Sequence, residues 1–591
     1  MECYSHNPFA VVRPWAQFFN IVLFELVTVF LFVLTGKLKA AHRIVYIAAM
    51  IYGIANSYVV RFRTNPIVPW DIFSWKTAVS VADNYDFMPD TRMFVVTLVF
   101  FAAIVLFRFI KVKVTRLVFW KRLIPAALVA VVLSLFAGTL QQENFQNSHR
   151  LYNKLFTPVY MTDVDGMAVT FVMNLAYMSI DKPEHYSAAE AQAVLDSYGE
   201  GGAMSEKSGS EAEEDDTQKE EDLPNIIVMM NESFSDLSVL GEFETNEDYM
   251  PFIHSLEQGG KNTVTGMLNV SVCGGNTANT EFEFLTGNTM AFLPQGSIPY
   301  QQYILGPSDS LATLLKGYGY ETRAFHPGEK TSWQRNAAYP RLGFDSFKCG
   351  EEMDVPQTEE HGYVSDDSDF KQVIWEFEHK QEGTPLFLFN VTIQNHGAYT
   401  VEDYPAEVTV EDAPGEFPKA EQYLTLANKT DESFRQLVEY FEQQTEPTII
   451  VMFGDHQPSV EQEFLDMAYG VSEDGMTMEQ YMDKFKVPFV IWANYPLTGE
   501  QPGITSLNFL AQYVLRDAGI RTSAFGSYLW DFMKTIPAMT FAGYFDSEGN
   551  AYSHMETNAF TPKIDAYRTV QYNELFGGAD RQNALFAAPV S

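Results

Sequence analysis

The spacing of apolar and polar positions divides the chain into two unlike parts. Before residue 140 the apolar positions come in long runs, roughly Trp15–Gly36, Ile44–Val60, Met93–Ile110 and Leu123–Leu140. Each is near the ~20 residues that a helix needs to cross a bilayer core, so the pattern predicts four membrane helices. The second run is short and is interrupted by Asn56 and Ser57. The first lacks the basic start and small-residue cleavage site of a secretory signal, and three further runs follow it, so it reads as a retained span. From Leu223 the pattern changes to short apolar stretches. Asn225–Met230 (NIIVMM), Thr322–Phe325, Leu386–Val391 (LFLFNV), Thr448–Phe453 (TIIVMF) and Phe489–Trp492 read as buried strands, with helices such as Ser310–Gly317 and Thr430–Gln443 between them. Continuous apolar strands alternating with helices predict an α/β domain with a mostly parallel sheet.

Between the two parts the pattern is mixed. Lys154–Ile180 fits either a helix lying on the outer membrane surface or one packed on the outer domain. His185–Tyr198 reads as one more helix. Gly199–Asp222 is poor in apolar residues and dense in acidic ones, the composition of a disordered tether. The expected organisation is therefore a transmembrane domain at 1–140, a linker at 141–222 and a catalytic domain at 223–591. Within the last ~50 residues, Tyr544–Tyr552 reads as a hairpin about Glu548-Gly549-Asn550.

Charge sharpens this division. Residues 1–140 carry 14 Lys/Arg and 6 Asp/Glu, which leaves 25 basic and 70 acidic residues for the remainder. So acidic a domain is a poor partner for nucleic acid, which recruits clustered cations. Lys37, Lys39 and Arg43 lie between the first two runs, and Lys111, Lys113, Arg116, Lys121 and Arg122 between the last two. The positive-inside rule puts both loops in the cytoplasm and everything after Leu140 outside the cell. The even count of runs then places the N-terminus outside as well, leaving room for a span upstream of Met1. Three cysteines (Cys3, Cys273, Cys349) exclude a disulfide scaffold and a cysteine-rich zinc module.

In parallel α/β sheets ligands bind beyond the carboxyl ends of the strands, and here those ends carry chemistry. Glu232 follows the first strand, His326 the second, His396 the third, and Asp455 and His456 the fourth. A histidine after a strand is commonly a loop or core residue, and a carboxylate there is commonly a helix cap. Convergence of all of them at one sheet edge points instead to a divalent cation, since a mixed Glu/Asp/His set suits Mn²⁺ or Zn²⁺. The Gly-rich segment Cys273–Phe284 leads into a helix headed by Thr277. A hydroxyl there lies among helix N-terminal N–H groups suited to a phosphoryl oxygen, and metal coordination would activate it as a nucleophile. The plain alternative is that Thr277 caps the helix.

Taken in order, NIIVMMNES (Asn225–Ser233), GNTANTEF (Gly275–Phe282), FHPGEKTSWQR (Phe325–Arg335), QNHG (Gln394–Gly397) and GDHQ (Gly454–Gln457) resemble the lipoteichoic acid synthase family, as does the outer loop RTNPIVPWD (Arg63–Asp71). These are membrane-anchored phosphoglycerol transferases of the Gram-positive cell envelope with an extracellular sulfatase-like, alkaline-phosphatase-type domain. The resemblance implies that Glu232, Thr277, Asp455 and His456 hold one Mn²⁺ (Mg²⁺ or Zn²⁺ being the alternatives), with Thr277 as nucleophile. It implies that His396 acts as leaving-group acid or substrate contact, and that Trp333 and Arg335 hold the glycerophosphate. His326 is a further substrate-binding candidate. Gly328 stands where some members carry a polar substrate contact. The implied donor is phosphatidylglycerol and the implied acceptor a glycolipid or growing polyglycerolphosphate chain. Phosphoethanolamine transfer, hydrolysis of a phosphodiester or sulfate ester, and a non-catalytic polymer-binding domain are the alternatives. Cys273 lacks the C/S-x-P-S-R context of a formylglycine sulfatase. Its pairing with Cys349 stays open.

Overall fold

The computed structural model describes every residue except 64–65, 73–87, 108, 110–118, 153–157, 176–179, 181, 185, 200–222, 295–296, 403, 473–474, 498, 582–585 and 589–591. The acidic tether expected at 199–222 thus lies almost wholly outside the described residues. The chain forms two compact units, the first drawn mainly from Met1–Ile180 and the second mainly from Asp181–Ser591.

The first unit is helical. Its long helices are α1 (Pro14–Thr35), α2 (Leu38–Arg63), α3 (Thr91–Leu106) and α4 (Phe119–Leu140). Among the described residues three helices, Pro14–Thr35, Leu38–Arg61 and Trp120–Leu140, are long and apolar enough to cross a membrane. The expected fourth span is met only by α3, an apolar helix of 16 residues that ends with Phe107 as its cap; Arg108 and Ile110 of the expected run lie outside the described residues. Outward-facing Val29, Ile51, Val99 and Val132 are exposed, as lipid-facing side chains must be. Arg122 Nη1 donates to the Thr35 carbonyl at 3.0 Å, placing a cation on the negative end of α1. The C-terminal end of α1 and the N-terminal end of α4 therefore share one side. The polar break in α2 has a structural use: buried Asn56 accepts the Ile67 N–H at 2.7 Å and Tyr52 donates to the Ile67 carbonyl at 3.0 Å. Residues of the 154–180 stretch form two short helices, Pro158–Asp165 and Met167–Asn174, whose Met161, Val169 and Met173 pack with Phe19 and Leu23 of α1.

In the second unit helix α5 (Ala188–Gly199) fulfils the expectation of a helix near 185–198. Tyr198 in its last turn donates to Asp531 at 3.1 Å, and the Asn573 amide donates to Tyr186, just ahead of the helix, at 2.9 Å. The strands are β1 (Asn225–Asn231), β2 (Thr263–Asn269), β3 (Glu321–His326), β4 (Ser346–Cys349), β5 (Glu359–Glu360), β6 (Tyr363–Val364), β7 (Leu386–Val391), β8 (Thr448–Gly454), β9 (Lys486–Ala493) and β10 (Thr505–Ser506). Eight of them form one sheet in the order β10-β2-β9-β8-β1-β7-β3-β4. β1, β3, β4, β7 and β8 run parallel, whereas β9 is antiparallel to both of its neighbours, β8 and β2. Reversal at β9 returns β2 to the common direction, so the loop after β2 emerges at the same edge as those after β1, β3, β7 and β8. β2 escaped the sequence reading because Thr263, Thr265 and Gly266 break its apolar run.

Three helices fix this edge: α6 (Thr277–Thr286), α7 (Asp366–Glu378) and α8 (Pro418–Glu442). α8 begins twelve residues before the stretch expected from its apolar spacing, since its first half buries polar Glu421, Gln422 and Thr425 as well as Tyr423 and Leu424. Every residue of α6 is buried. Its Phe284 ring lies 5.8 Å from Phe389 of β7 and 5.1 Å from Phe453 of β8, centroid to centroid. No disulfide joins Cys273 and Cys349. The hairpin expected near residue 548 forms, with Tyr544–Phe545 antiparallel to Ala551–Tyr552.

Phe284 packs α6 against the rings of β7 and β8. Phe284→Ala is expected to destabilise the second unit by about 3–5 kcal/mol, measured by urea denaturation of the full chain.

Candidate metal centre

The end of β8 and the turn after β1 touch at backbone level. A side chain on Gly454 would place its first carbon 1.7 Å from the Phe234 carbonyl oxygen, so only glycine permits the approach. The Asp455 N–H donates to the Asn231 carbonyl at 3.2 Å and the Ser233 N–H to Asp455 Oδ1 at 2.6 Å. Ser233 holds a positive φ of 51° there, and its hydroxyl donates to Glu232 Oε1 at 3.0 Å. These contacts bring Glu232, Asp455 and His456 together, with one ligand atom from each lying within 4.8 Å of the others.

The donor set can be read atom by atom. His456 Nδ1 lies 2.9 Å from the Gln457 carbonyl. A carbonyl can only accept, so Nδ1 carries the proton and Nε2 the lone pair. Nε2 faces Asp455 Oδ2 at 3.3 Å and Glu232 Oε1 at 3.6 Å. Both His456 Nε2 and Asp455 Oδ2 are buried without a hydrogen-bond partner. Burial, and then the charge of Glu232, push the Asp455 carboxyl well above the usual carboxylate range; burial pulls the His456 imidazole down. Electron-rich atoms facing one another in a desolvated pocket are the arrangement that a cation satisfies. Two carboxylates and an imidazole fit Mn²⁺, Mg²⁺ or Zn²⁺.

Thr277 is the first residue of α6. The cap position belongs to Asn276, at φ 69° and with no side-chain cap bond. Instead of capping, the Thr277 hydroxyl donates to Glu232 Oε2 at 3.2 Å. One turn on, the Thr280 hydroxyl donates to the Asp455 carbonyl at 2.8 Å. The nucleophile candidate and the ligand candidates are thus bonded directly into one cluster.

The remaining candidates are placed differently. Arg335 is buried and gives Nε and Nη2 to Glu281 Oε1 at 2.9 and 2.6 Å, while Tyr339 donates to Glu281 Oε2 at 2.6 Å. Burial works against the guanidinium charge, and Glu281, with Tyr339 and Tyr300, more than offsets it. Arg335 therefore grips α6 four residues beyond Thr277. Trp333 is half-buried at a positive φ of 55°. His326 is buried, its Nδ1 donating to the Val391 carbonyl at 2.8 Å. Burial, followed by the charge of Arg335, holds its imidazole well below the ordinary range. A side chain on Gly328 would lie 2.4 Å from His326 Nε2, so the glycine makes room for that ring. His396 is half-buried in the loop after β7, with Nδ1 2.8 Å from the Gly397 carbonyl. Sequence reasoning overlooked Ser233, Gly454 and Glu281. Of these Glu281 had a signal, standing one helical turn after Thr277 in the quoted motif.

A family model described as Sulfatase matches residues 224–520. A putative cyclic beta-1,2-glucan modification protein of Rhizobium meliloti (strain 1021) is 36% identical over 315 residues, covering 52% of this chain and 47% of that protein. A lipoteichoic acid synthase of Staphylococcus saprophyticus is 24% identical over 361 residues, 55% of this chain and 52% of that one. The chain thus spans about half the length of these curated relatives. The structure of a Streptococcus pyogenes phosphoglycerol transferase, GacH, in complex with sn-glycerol-1-phosphate superposes with a TM-score of 0.56 at 18% identity, covering 70% of this chain and 100% of that one. At that identity the likeness shows the shared fold.

Two outcomes are expected here. Metal entry must displace the proton that burial and the Glu232 charge favour on Asp455, so apparent Mn²⁺ affinity rises as pH rises above the ordinary carboxylate range, as calorimetric titration of the full chain would register. Removing one partner of the buried Arg335–Glu281 pair strands the other charge. Arg335→Met should cost about 3–5 kcal/mol, much of it recovered in Arg335→Met/Glu281→Leu, both read by urea denaturation.

Proposed function

The chain belongs to the sulfatase family, and on that premise we propose that it is a membrane-anchored phosphoglycerol transferase acting on phosphatidylglycerol. The observation that carries the reading is the Thr277 hydroxyl at the head of α6, bonded at 3.2 Å to Glu232 beside Asp455 and His456.

When bound by Glu232, Asp455, His456 and Thr277, a divalent cation, Mn²⁺ in this reading, would lower the pKa of the threonine hydroxyl and offset phosphate charge. The chain supplies the rest. Glu232 Oε2 accepts the hydrogen of the Thr277 hydroxyl. Thr277 Oγ1 attacks phosphorus, the bond from phosphorus to the diacylglycerol oxygen breaks, and that oxygen leaves with a proton from His396. The α6 N-terminal N–H groups favour the negative phosphoryl oxygens. An acceptor hydroxyl then attacks phosphorus and gives its proton to His396, the bond from phosphorus to Thr277 Oγ1 breaks, and the proton held by Glu232 returns to the Thr277 oxygen. Arg335 orients α6 through Glu281, and Trp333 and His326 are the substrate contacts of this reading. A lipid donor calls for an active site tethered at the outer leaflet, which fits the apolar helices and the charge asymmetry of their loops.

The acceptor admits two readings. The lipoteichoic acid synthase relative supports a glycolipid or polyglycerolphosphate end. The 36% identity to the glucan modification protein supports a glucan hydroxyl taking the same glycerophosphoryl group.

Intact-mass spectrometry of the full chain with Mn²⁺ and phosphatidylglycerol should show a gain of one glycerophosphoryl group, absent in Thr277→Ala. Adding glycolipid or cyclic glucan should discharge the adduct onto the true acceptor. An adduct from phosphatidylethanolamine alone would replace the donor, and undiminished turnover in Thr277→Ala would sink the mechanism.

A further inference from the structure

Ahead of α7 lies a two-stranded hairpin that the reaction above leaves without a task. Register pairs Glu359 with Val364 and Glu360 with Tyr363, leaving His361 and Gly362 as a two-residue turn. Both have positive φ, 36° and 96°. Such turns favour Asn-Gly, and a histidine at the first position is held against its backbone preference. What holds it is a bond: His361 Nε2 donates to the Gln394 carbonyl at 2.6 Å. On the neighbouring strand Glu360 pairs with Lys429 of α8 at 2.8 Å and accepts from Tyr404 at 3.2 Å. The hairpin is thus fastened on one side to α8 and on the other to the loop 394–397.

Its third attachment is to His396. Nδ1 of that ring lies 2.8 Å from the Gly397 carbonyl, so Nδ1 carries a hydrogen and Nε2 is the nitrogen left to release and take up the transferred proton. The Tyr363 oxygen lies 3.0 Å from the same Nδ1, and the Tyr363 hydroxyl donates to the Gly397 carbonyl at 3.3 Å. Tyr363 therefore accepts from the imidazole while saturating the carbonyl beside it. This three-membered arrangement fixes both the ring plane and the tautomer.

We infer that Tyr363, supported by His361, is a positioning residue for His396, holding its Nε2 in register with the transferring phosphoryl group through both half-reactions. The inference rests on the transfer reaction proposed above. A shuttle that gives a proton to one oxygen and takes one from the next must keep the same nitrogen on the reaction path, and a ring free to flip would present the wrong one.

The test uses the full chain in detergent with Mn²⁺ and phosphatidylglycerol, in Tyr363→Phe and His361→Asn forms. Asparagine suits the turn but does not span the distance to Gln394, separating loss of the bond from loss of the hairpin. Both variants should keep the wild-type thermal midpoint. Tyr363→Phe should lower kcat roughly 10-fold with KM within about twofold, and His361→Asn should act in the same direction. A second readout needs no lipid: labelling of His396 by diethyl pyrocarbonate, followed by peptide mass spectrometry, should be severalfold faster in Tyr363→Phe. Unchanged labelling overturns the inference, as does a raised KM at wild-type kcat, which would make Tyr363 a lipid contact. If the wild type transfers nothing from phosphatidylglycerol, the labelling still decides: a faster rate in Tyr363→Phe upholds the positioning role while the transfer reaction falls.

Discussion

The candidate site depends on how closely two turns of backbone can approach. The segment after β1 and the end of β8 meet at Gly454 and the Phe234 carbonyl, where no side chain fits. That approach sets Glu232 against Asp455 and His456 and strips the group of water. Desolvation then makes every electron-rich atom in the cluster costly unless something positive is shared among them. The Asp455 carboxyl, raised by burial and by Glu232, expresses that tension. The pairing register of β1 with β8 is therefore as much a part of the chemistry as the ligand side chains, since a slip by one residue would turn Asp455 to the other face of the sheet.

A second level of order attaches the nucleophile helix to this framework. α6 is held at three places along its length: Thr280 to the Asp455 backbone, Glu281 to Arg335 and Tyr339, and Phe284 to the sheet rings. None of these contacts is with Thr277 itself. They remove the freedom that would otherwise have to be lost during reaction, which is how a folded scaffold lowers a barrier without touching the reacting atoms. The buried Arg335–Glu281 pair matters in this sense as a fixed strut rather than as a source of net stability.

Much of this was legible in the chain. Apolar runs marked the membrane helices, and buried-strand runs marked β1, β3, β7, β8 and β9, because a strand covered on both faces has no polar alternation to hide it. Residues following those strands named the cluster. The rest depended on partners distant in sequence. β2 carries too many polar positions to show as a strand, although it delivers the loop that leads to Thr277. Arg335 read as a phosphate ligand because its guanidinium suits one; only the fold reveals Glu281 beneath it. Ser233 and Gly454 do their work through backbone geometry, for which side-chain identity gives little warning, and the direction of β9 is invisible to any pattern of burial.

Asn56 of α2 shows how a local score and a folded structure can disagree. By hydropathy alone an asparagine in the last third of a membrane helix is a defect, and leucine would improve the segment. In the folded unit its side chain accepts the Ile67 N–H of the following loop. The amide side chain thus works as a latch that sets how deep that loop may sit. Leucine here would raise the hydropathy of the segment and release the loop, so insertion and the folded structure ask for different residues at one position.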